Sequence, residues 1–398
     1  MSSQTPGEGA VEDRGFRIKP ILSVSFGHLV QDSYASFLAP FLPLIIDKFG
    51  LTMTLAGLLS VLLRVPSVLN PFIGALADRC NLRFLFIFAP VLTGICMSFL
   101  GLMPHYGLLC VLLIVAGLNS SVYHVVGPSL IAGESSARVG RGMGFWMTSG
   151  ELARTLGPLL AVAVIAWLGF ESSYPVAIIG MAASVYLFVQ FRNMDTTGGR
   201  TDPYSTWQVW KKIRHVMRPL LVLLVSRGLV LPILITYLPT FLVSEGMGPG
   251  RAGLWLVVLE VIGTAGTFAG GTLSDRLGRR GVLLLGMGVS PLAMLLFVHA
   301  DGWLRILLLV VLGMSVFVSS PVLLAVLQDH ARQYRSTATG FYMASVFGIA
   351  GIALLVVGWL VDMVGFNAAL SISAVVSLLG LPALFFLPEA DKSRQTGQ

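Results

Sequence analysis

Charged residues are scarce in this 398-residue chain, in which Asp, Glu, Lys and Arg together make up 11%, less than half of the roughly 25% that is usual in soluble domains. The three cysteines, Cys80, Cys96 and Cys110, fit neither a disulfide framework nor a zinc site by number and spacing. Residues 1–18 lack the apolar core of a cleavable signal, and no nucleotide-binding loop is present. The sequence therefore argues against a soluble domain, a secreted disulfide-rich domain and direct use of ATP.

Hydrophobic residues make up 55% of the chain and form runs of about 20 or more, the length that crosses a hydrocarbon core roughly 30 Å thick. Because no water reaches the backbone inside a bilayer, each run must satisfy its own hydrogen bonds, and these runs are too long for barrel strands. The sequence predicts an all-α integral membrane protein with twelve transmembrane helices. The predicted spans are residues 20–46, 53–77, 83–103, 107–131, 140–168, 173–191, 219–243, 252–274, 281–300, 303–327, 337–361 and 366–387.

A short loop motif occurs twice, half a chain apart. Its copies begin at Gly74 and Gly271, and their aspartates, Asp78 and Asp275, lie 197 positions apart. Such a repeat in an apolar chain is typical of transporters, and it predicts two pseudo-symmetric six-helix bundles. We expect a cytoplasmic tail at residues 1–19, bundles at 20–191 and 219–388, a cytoplasmic linker at 192–218 and a second tail at 389–398.

The net charge of +7 reflects membrane topology rather than nucleic-acid binding. Basic residues are concentrated in the breaks on one side of the predicted spans, whereas the other side has only Lys48, Arg251 and Arg305. By the positive-inside rule, both termini and the linker face the cytoplasm. We expect a monomer with membrane lipids as partners and no nucleic acid. The linker could include an amphipathic helix on the membrane surface or act as a flexible tether.

The repeated loop is a candidate gate. Its glycines permit a tight turn and close backbone approach. Its aspartate can accept from the positive N-terminus of a neighbouring helix, and its arginines can pair with that aspartate or with lipid phosphates. The alternative is a charged turn that only enforces topology. The candidate gating residues are Gly74, Asp78, Arg79, Arg83, Gly271, Asp275, Arg276 and Arg279.

Eight ionisable side chains lie away from the ends of the predicted spans, and a charged group at a helix centre costs roughly 2.5 to 3.5 kcal/mol on insertion scales. They should therefore face the interior of the bundle, paired with one another or in contact with water. These residues are His28, Asp32, Arg64, His124, Glu151, Arg154, Arg227 and Glu260.

His28 and Asp32 lie one helical turn apart and can interact directly or through water. Histidine titrates near neutral pH, and burial and nearby cations shift a carboxyl group in opposite directions, so the pair could load and release a proton. A structural contact between helices is the alternative. Asp32 with His28 is the first candidate for proton coupling, followed by Glu151 and Glu260. Glu260 is also a candidate counter-charge for Arg227.

Three arginines are candidates for substrate binding, because a guanidinium binds a carboxylate or phosphonate with paired hydrogen bonds. Arg64 has no acidic partner on its own helix, whereas Arg154 either pairs with Glu151 or is left to contact substrate. Arg227 ranks lower because it can snorkel to the cytoplasmic surface. Further candidates for the cavity wall, with helix packing as the alternative, are His124, Tyr34, Trp146 and Tyr342.

Several stretches resemble the major facilitator superfamily and, within it, the fosmidomycin resistance protein family. Besides the two loop motifs, they are Gly27-His28-Leu-Val-Gln-Asp32, Ser120-Ser121-Val122-Tyr123-His124 and Leu156-Gly157-Pro158. The chain departs from the family pattern at Asn81, where the loop usually has glycine, and at Val125-Val126, where proline and glutamate usually follow the histidine. The resemblance implies a proton-driven efflux carrier for organic anions or drugs in a bacterial inner membrane.

We therefore expect a secondary transporter that works by alternating access and exports a small organic anion or drug in exchange for protons. No cofactor is expected, since the proton gradient supplies the energy. Proton-coupled uptake of an organic anion is the closest alternative because it uses the same residues, and a lipid flippase or a sensor of the same fold is another. A membrane enzyme is disfavoured, because His28 and Asp32 lie deep in a helix without a nucleophile or a metal set.

Overall fold

The structure is a computed structural model that describes residues 16–135, 139–193, 206–331 and 335–388. Within these ranges it is helical and contains no strand. The helices of the first half are α1 (Ile18–Ala35), α2 (Leu38–Phe49), α3 (Met53–Arg64), α4 (Asn70–Arg79), α5 (Arg83–Ser98), α6 (Tyr106–Glu134), α7 (Val139–Trp167) and α8 (Ala177–Phe191). Those of the second half are α9 (Thr206–Gly228), α10 (Leu231–Ser244), α11 (Pro249–Leu277), α12 (Arg279–His299), α13 (Gly302–His330), α14 (Arg335–Val364) and α15 (Phe366–Leu378).

These helices form twelve apolar segments, as the sequence predicts. Ten segments in the described residues are long and apolar enough to cross a membrane, and Met53–Leu69 and Arg83–Ser98 are shorter apolar helices. Spans 1, 2 and 7 are each built from two consecutive helices, and a 3-10 segment, Val65–Leu69, joins α3 to α4. Pro66 lies in that segment and lacks the backbone donor that a continuous α-helix needs. The all-α, twelve-span prediction is confirmed.

The predicted linker is only partly described. Residues 194–205 lie outside the described ranges, as do the tails at residues 1–15 and 389–398. From Thr206 onward the chain is already helical, and α9 continues without a break through residue 219, the predicted start of span 7. Val209, Ile213 and Val216 on this extension are fully buried against the second half. This part of the linker is therefore a packed extension of span 7.

Among the described residues, the apolar cluster that joins the two halves lies at one end of the bundle. We call the end that carries the loop motifs, at residues 80–82 and at Gly278, the motif end, and the opposite end the far end. At the far end one core cluster includes Phe41 and Leu59 of the first half together with Tyr237 and Phe241 of the second. At the motif end each half has its own cluster. In the described residues the halves therefore share an apolar core at the far end and have separate cores towards the motif end, where α14 still contacts α4.

Close helix contacts complete the far end. A Cβ atom at Gly57 would lie 2.3 Å from the Tyr237 hydroxyl oxygen, and one at Gly358 would lie 2.6 Å from the Met53 carbonyl oxygen. Asp362 of α14 caps α3, because its carboxylate accepts from the Met53 and Thr54 backbone N–H groups at 2.6 and 2.8 Å. These contacts hold a helix of the second half directly against a helix of the first.

Candidate functional site

A cluster of two histidines and one aspartate lies between α1 and α6. Asp32 Oδ2 is 3.1 Å from His28 Nε2 and 3.4 Å from His124 Nε2, and the two Nε2 atoms are 3.3 Å apart. We call His28, Asp32 and His124 the histidine-aspartate cluster. The cluster contains the predicted pair of His28 and Asp32. Its third member, His124, lies 96 residues from His28 and is one of the predicted candidates for the cavity wall.

The backbone and neighbouring side chains orient both imidazoles. His28 Nδ1 lies 3.1 Å from the Trp146 carbonyl oxygen and 3.0 Å from Ser149 Oγ, and His124 Nδ1 lies 2.9 Å from the Ser120 carbonyl oxygen. A carbonyl only accepts, so each Nδ1 carries a hydrogen. Each Nε2 therefore faces the cluster, where it donates when the ring is protonated and offers a lone pair when the ring is neutral. The cluster thus brings two Nε2 atoms and a carboxylate oxygen together, and how many protons it holds decides which of them donates.

Packing restricts His28 on two sides. The Trp146 ring stacks on the imidazole with a centroid separation of 3.6 Å and an interplanar angle of 4°. On the same helix, a Cβ atom at Gly150 would lie 2.9 Å from His28 Cε1, so the glycine allows α7 to approach the ring. The imidazole therefore has little room to move.

The cluster is deep but accessible from one side. The side chain of His28 is 5% exposed, whereas Asp32 is 21% and His124 is 35% exposed. Asp32 Oδ1 is buried and has no hydrogen-bond partner among the described residues. A charged side chain that faces lipid is costly. We therefore expect the exposed part of Asp32 to contact water or a ligand.

A second cluster joins the two halves. Arg154 of α7 donates from Nη2 to Glu151 Oε2 on the same helix, and its Nε lies 3.7 Å from Glu260 Oε2 on α11. The contact with Glu260 is an ion pair without a hydrogen bond, since Arg154 Nε and Glu260 Oε2 have no hydrogen-bond partner in the described part of the chain. We call Glu151, Arg154 and Glu260 the arginine-glutamate cluster.

The two clusters are electrostatically connected. Arg154 contacts its two glutamates and lies within electrostatic range of Asp32, and Arg64 lies within electrostatic range of Glu260 and Arg154. Glu260 is only 3% exposed, whereas the Arg154 side chain is 38% exposed. An arginine that is held by acids but still accessible is suited to contact an anion that enters between the halves.

Arg227 belongs to neither cluster. Its Nη2 donates to Ser320 Oγ on α13, and it lines a cavity with Ser226, Ser290 and Ser319 that has room for about one water molecule. The predicted pairing of Arg227 with Glu260 is wrong, because Glu260 contacts Arg154 instead. Whether Glu260 on α11 contacts Arg227 on α9 depends on the relative positions of these two helices. No local sequence pattern determines those positions.

Three aromatic candidates are packed in the core. Tyr34 is 1% exposed, and its hydroxyl donates to the Val176 carbonyl oxygen at 2.6 Å and accepts from Gly180 N–H at 3.0 Å. It therefore joins α1 to the start of span 6, and its assignment to a cavity wall is corrected. Trp146 is 6% exposed and contacts His28, while Tyr342 is 4% exposed within the second half.

The predicted gate is only partly described. The side chains of Gly74, Asp78, Arg79, Gly271 and Asp275 lie outside the described residues, and their proposed roles stay predictions. Among the others, the Arg83 guanidinium lies 4.8 Å from the Phe84 ring centroid, Arg276 is exposed, and Arg279 Nε is 3.4 Å from Asp329 Oδ2.

The two loop copies turn by different means. Gly278 adopts a left-handed backbone with φ of 81°, directly before α12. At the corresponding turn of the first copy, Asn81 Oδ1 accepts from the Arg83 backbone N–H at 3.1 Å. An asparagine side chain can thus begin α5 where the second copy uses glycine.

Several supporting residues were missed by sequence reasoning. Ser120 could have been found, since it lies four residues before His124 and therefore one helical turn away. Ser149 and Gly150 act on His28 from α7, across 121 residues in the case of Ser149, and local spacing gives no signal for them. Asp362 was overlooked because it lies at a helix end among apolar residues.

Comparison with known proteins agrees with this architecture. Residues 24–354 match the family model of the Major Facilitator Superfamily. The chain is 23% identical over 376 residues to the fosmidomycin resistance protein of Escherichia coli strain K12, covering 92% of each. It is also 23% identical over 403 aligned residues to an uncharacterised MFS-type transporter of Bacillus subtilis strain 168, covering 98% of this chain and 97% of that protein.

Solved structures show the same fold. A bacterial homologue of the human lysosomal transporter Spinster, in an inward-facing and occupied conformation, superimposes with a TM-score of 0.78 at 13% identity, over 94% of this chain and 97% of the other. The fold, the multiple apolar spans and the family match together indicate a multi-pass membrane transporter of a small molecule rather than an enzyme. The chain belongs to the Major Facilitator Superfamily.

Proposed function

We propose that this transporter works by alternating access and exports a small organic anion or drug in exchange for protons. The single observation that carries the proposal is the position of Arg154, whose Nε lies 3.7 Å from Glu260 of the other half. Arg154 also lies on α7 between Gly150 and Gly157, where this helix packs closely against α1 on both sides of Asp32. A substrate at Arg154 would therefore act on the contact between the halves and on the group proposed to carry the proton.

The histidine-aspartate cluster supports the proton role. Two Nε2 lone pairs and a carboxylate oxygen converge within 3.4 Å of one another. Three acceptors without a donor repel one another unless a cation lies between them, and a proton shared by Asp32 and a histidine supplies one. Asp32 is the main carrier in this proposal, and His28 and His124 stabilise its charged and neutral forms in turn.

The arginine-glutamate cluster supports the substrate role. At 3.7 Å the Glu260 carboxylate is close to Arg154 Nε but makes no hydrogen bond to it, so an oxyanion with better geometry can compete for the guanidinium. Arg64 adds a second positive charge within range. Displacing Glu260 weakens the bridge between the halves, which links substrate binding to their relative motion.

The name of the Escherichia coli relative supports export, because resistance to a drug is most simply explained by its removal from the cell. With the motif end facing the cytoplasm of a bacterial inner membrane, as the distribution of basic residues predicts, the separated ends of the halves would receive substrate from inside. The packed far end would then have to open for release.

Proton-coupled uptake is a second candidate, and one observation favours it. Asp32 interacts with Arg154, so neutralising Asp32 with a proton makes the surroundings of Arg154 more positive and strengthens anion binding. Proton and anion then bind cooperatively, which favours their movement in the same direction. Exchange instead requires that substrate and proton exclude each other, as a neutral or cationic drug near Asp32 would do.

Everted membrane vesicles distinguish these candidates. With an acidified interior, a pH-sensitive dye reports proton movement when fosmidomycin, simple phosphonates, carboxylates or cationic drugs are added outside. Export by exchange predicts that an effective substrate releases protons from the vesicles and accumulates inside. Uptake by cotransport predicts that preloaded anion leaves together with protons. Transport of a substrate at a rate that is insensitive to the pH gradient would contradict both.

A further inference from the structure

The histidine-aspartate cluster also has the composition and geometry of a metal site. In the part of the chain that the structure describes, it is the one group of three histidine, cysteine, aspartate or glutamate side chains whose ligand atoms converge, all within 4.8 Å of one another. We propose that His28, His124 and Asp32 bind a divalent transition-metal ion, with Zn²⁺ as the best fit.

The distances match a tetrahedral arrangement. Histidine nitrogen and carboxylate oxygen lie about 2.0 to 2.2 Å from Zn²⁺, so two such ligands at the tetrahedral angle are separated by about 3.3 to 3.5 Å. The three separations in the cluster are 3.1, 3.3 and 3.4 Å. A metal ion could therefore be held with little movement of the side chains.

The hydrogen bonds of the outer nitrogens fit the same role. A histidine that binds a metal through Nε2 usually donates its Nδ1–H to a carbonyl, carboxylate or water, which fixes the tautomer and the ring orientation. His28 does so with the Trp146 carbonyl oxygen and His124 with the Ser120 carbonyl oxygen. Both rings are thus already held in the form that offers Nε2 to a cation.

One coordination position is open. Three protein ligands leave a fourth tetrahedral position for water or substrate, as in zinc sites that exchange ligands. Asp32 Oδ1, buried and without a hydrogen-bond partner among the described residues, provides a further oxygen next to that position. His124, with 35% of its side chain exposed, lies on the accessible side, from which an ion would enter.

The ligand set selects the type of ion. Two imidazoles and one carboxylate suit Zn²⁺, Co²⁺ or Ni²⁺, whereas Mg²⁺ and Ca²⁺ prefer sites made of oxygen atoms. The sequence alone gives no sign of this ligand set, because His124 is brought to His28 and Asp32 by the packing of α6 against α1.

Metal and proton would occupy the same lone pairs, so bound Zn²⁺ would inhibit proton-coupled transport. That consequence rests on the proposed function, whereas metal binding itself does not. Binding is therefore measured without a membrane gradient, and transport is measured separately in the absence of metal. A protein that binds Zn²⁺ but moves no protons would overturn the proposed function alone.

The test uses the full-length protein, purified in detergent with an affinity tag that contains no histidine. Equilibrium dialysis against Zn²⁺ alone, followed by metal analysis, is expected to give one ion per chain. His28→Gln and His124→Gln should each weaken binding by at least about tenfold, and Ser149→Ala, which removes a contact of His28, by a smaller factor. His299→Gln is the matched control, since His299 lies in the second half, where it contacts Ser371, and is not part of the cluster.

Co²⁺ gives an independent measurement of geometry, because tetrahedral cobalt absorbs visible light far more strongly than octahedral cobalt. Strong absorption in the parent, lost in His124→Gln, is the expected result. Thermal unfolding without metal checks that the variants are folded. Failure of the parent to bind Zn²⁺, or parent-like binding in a folded His28→Gln/His124→Gln double variant, would overturn the metal site.

Discussion

The two halves of the bundle share an architecture but differ in their polar interiors. Both contain the loop motif and six apolar segments, yet the whole histidine-aspartate cluster lies in the first half. At the loop-motif offset of 197 positions, His28 and Asp32 correspond to Val225 and Leu229, which are apolar. The second half instead supplies Glu260, which contacts Arg154 of the first. Two halves that share a helical architecture therefore need not carry the same polar residues, provided that one contact connects the halves.

The largest effect is expected from breaking that contact with Arg154→Gln. The substitution leaves Glu260, 3% exposed, without its cation, and we expect loss of anion transport and a fall in stability of roughly 2 to 3 kcal/mol. This is below the value for a fully buried pair because the Arg154 side chain is partly exposed. Thermal unfolding and substrate flux measure the two effects.

The double variant Arg154→Gln/Glu260→Gln provides the control for this prediction. It should recover part of the stability without recovering transport, because the uncompensated charge of Glu260 is gone while Glu151 still lacks its partner and the anion contact is still missing. Equal stability of the single and double variants would show that the bridge between the halves contributes nothing.

A smaller effect is expected from disturbing the first-half cluster with Gly150→Ala. The added Cβ would lie 2.9 Å from His28 Cε1, and the ring cannot withdraw because it is stacked on Trp146. We expect slower proton-coupled transport and a loss of about 1 to 2 kcal/mol. Gly144→Ala on the same helix is the matched control, since a Cβ there meets nothing within 4 Å. Similar transport in both variants would contradict a fixed His28.

Arg227 tests whether the second half contributes its own cation. The structure pairs it with Ser320 and, among the described residues, with no carboxylate. Arg227→Met should therefore leave more transport than Arg154→Gln does and should raise stability by about 1 kcal/mol, because a partly buried charge is replaced by an apolar side chain of similar length. A loss of transport as complete as that of Arg154→Gln would place Arg227 in the substrate site.

The smallest effect is expected at the far end. Asp362→Asn weakens the cap that α14 of the second half provides to α3 of the first, at a cost of about 0.5 to 1 kcal/mol. Because this end is otherwise held by the shared apolar core, the fold should persist while the far end opens more often. Faster labelling of a cysteine introduced at Thr240, buried in α10, would report it. Unchanged labelling would show that the apolar core alone keeps the far end closed.

The sequence was sufficient for the spans and for contacts within one helix. Hydrophobic runs reveal the twelve segments because a bilayer imposes both length and apolarity. The contacts between His28 and Asp32 and between Glu151 and Arg154 follow from helical spacing. Local rules of this kind hold because a helix fixes which of its own residues share a face.

Contacts between helices could not be predicted in the same way. Whether His124 joins Asp32, and whether Glu260 meets Arg154 or Arg227, depends on how each helix is rotated and shifted relative to the next. Tyr34 is another example. Its position on α1 allows the ring to face either a cavity or the core, and the contacts of its hydroxyl with span 6 show that it lies in the core.

The most direct test of the central claim compares the parent with Asp32→Asn in proteoliposomes, using the same substrate with and without a pH gradient. We predict that the parent accumulates substrate against its gradient, whereas Asp32→Asn still binds substrate and exchanges it across the membrane but no longer accumulates it. Gradient-driven accumulation by Asp32→Asn at the parental level would contradict the assignment of proton coupling to the histidine-aspartate cluster.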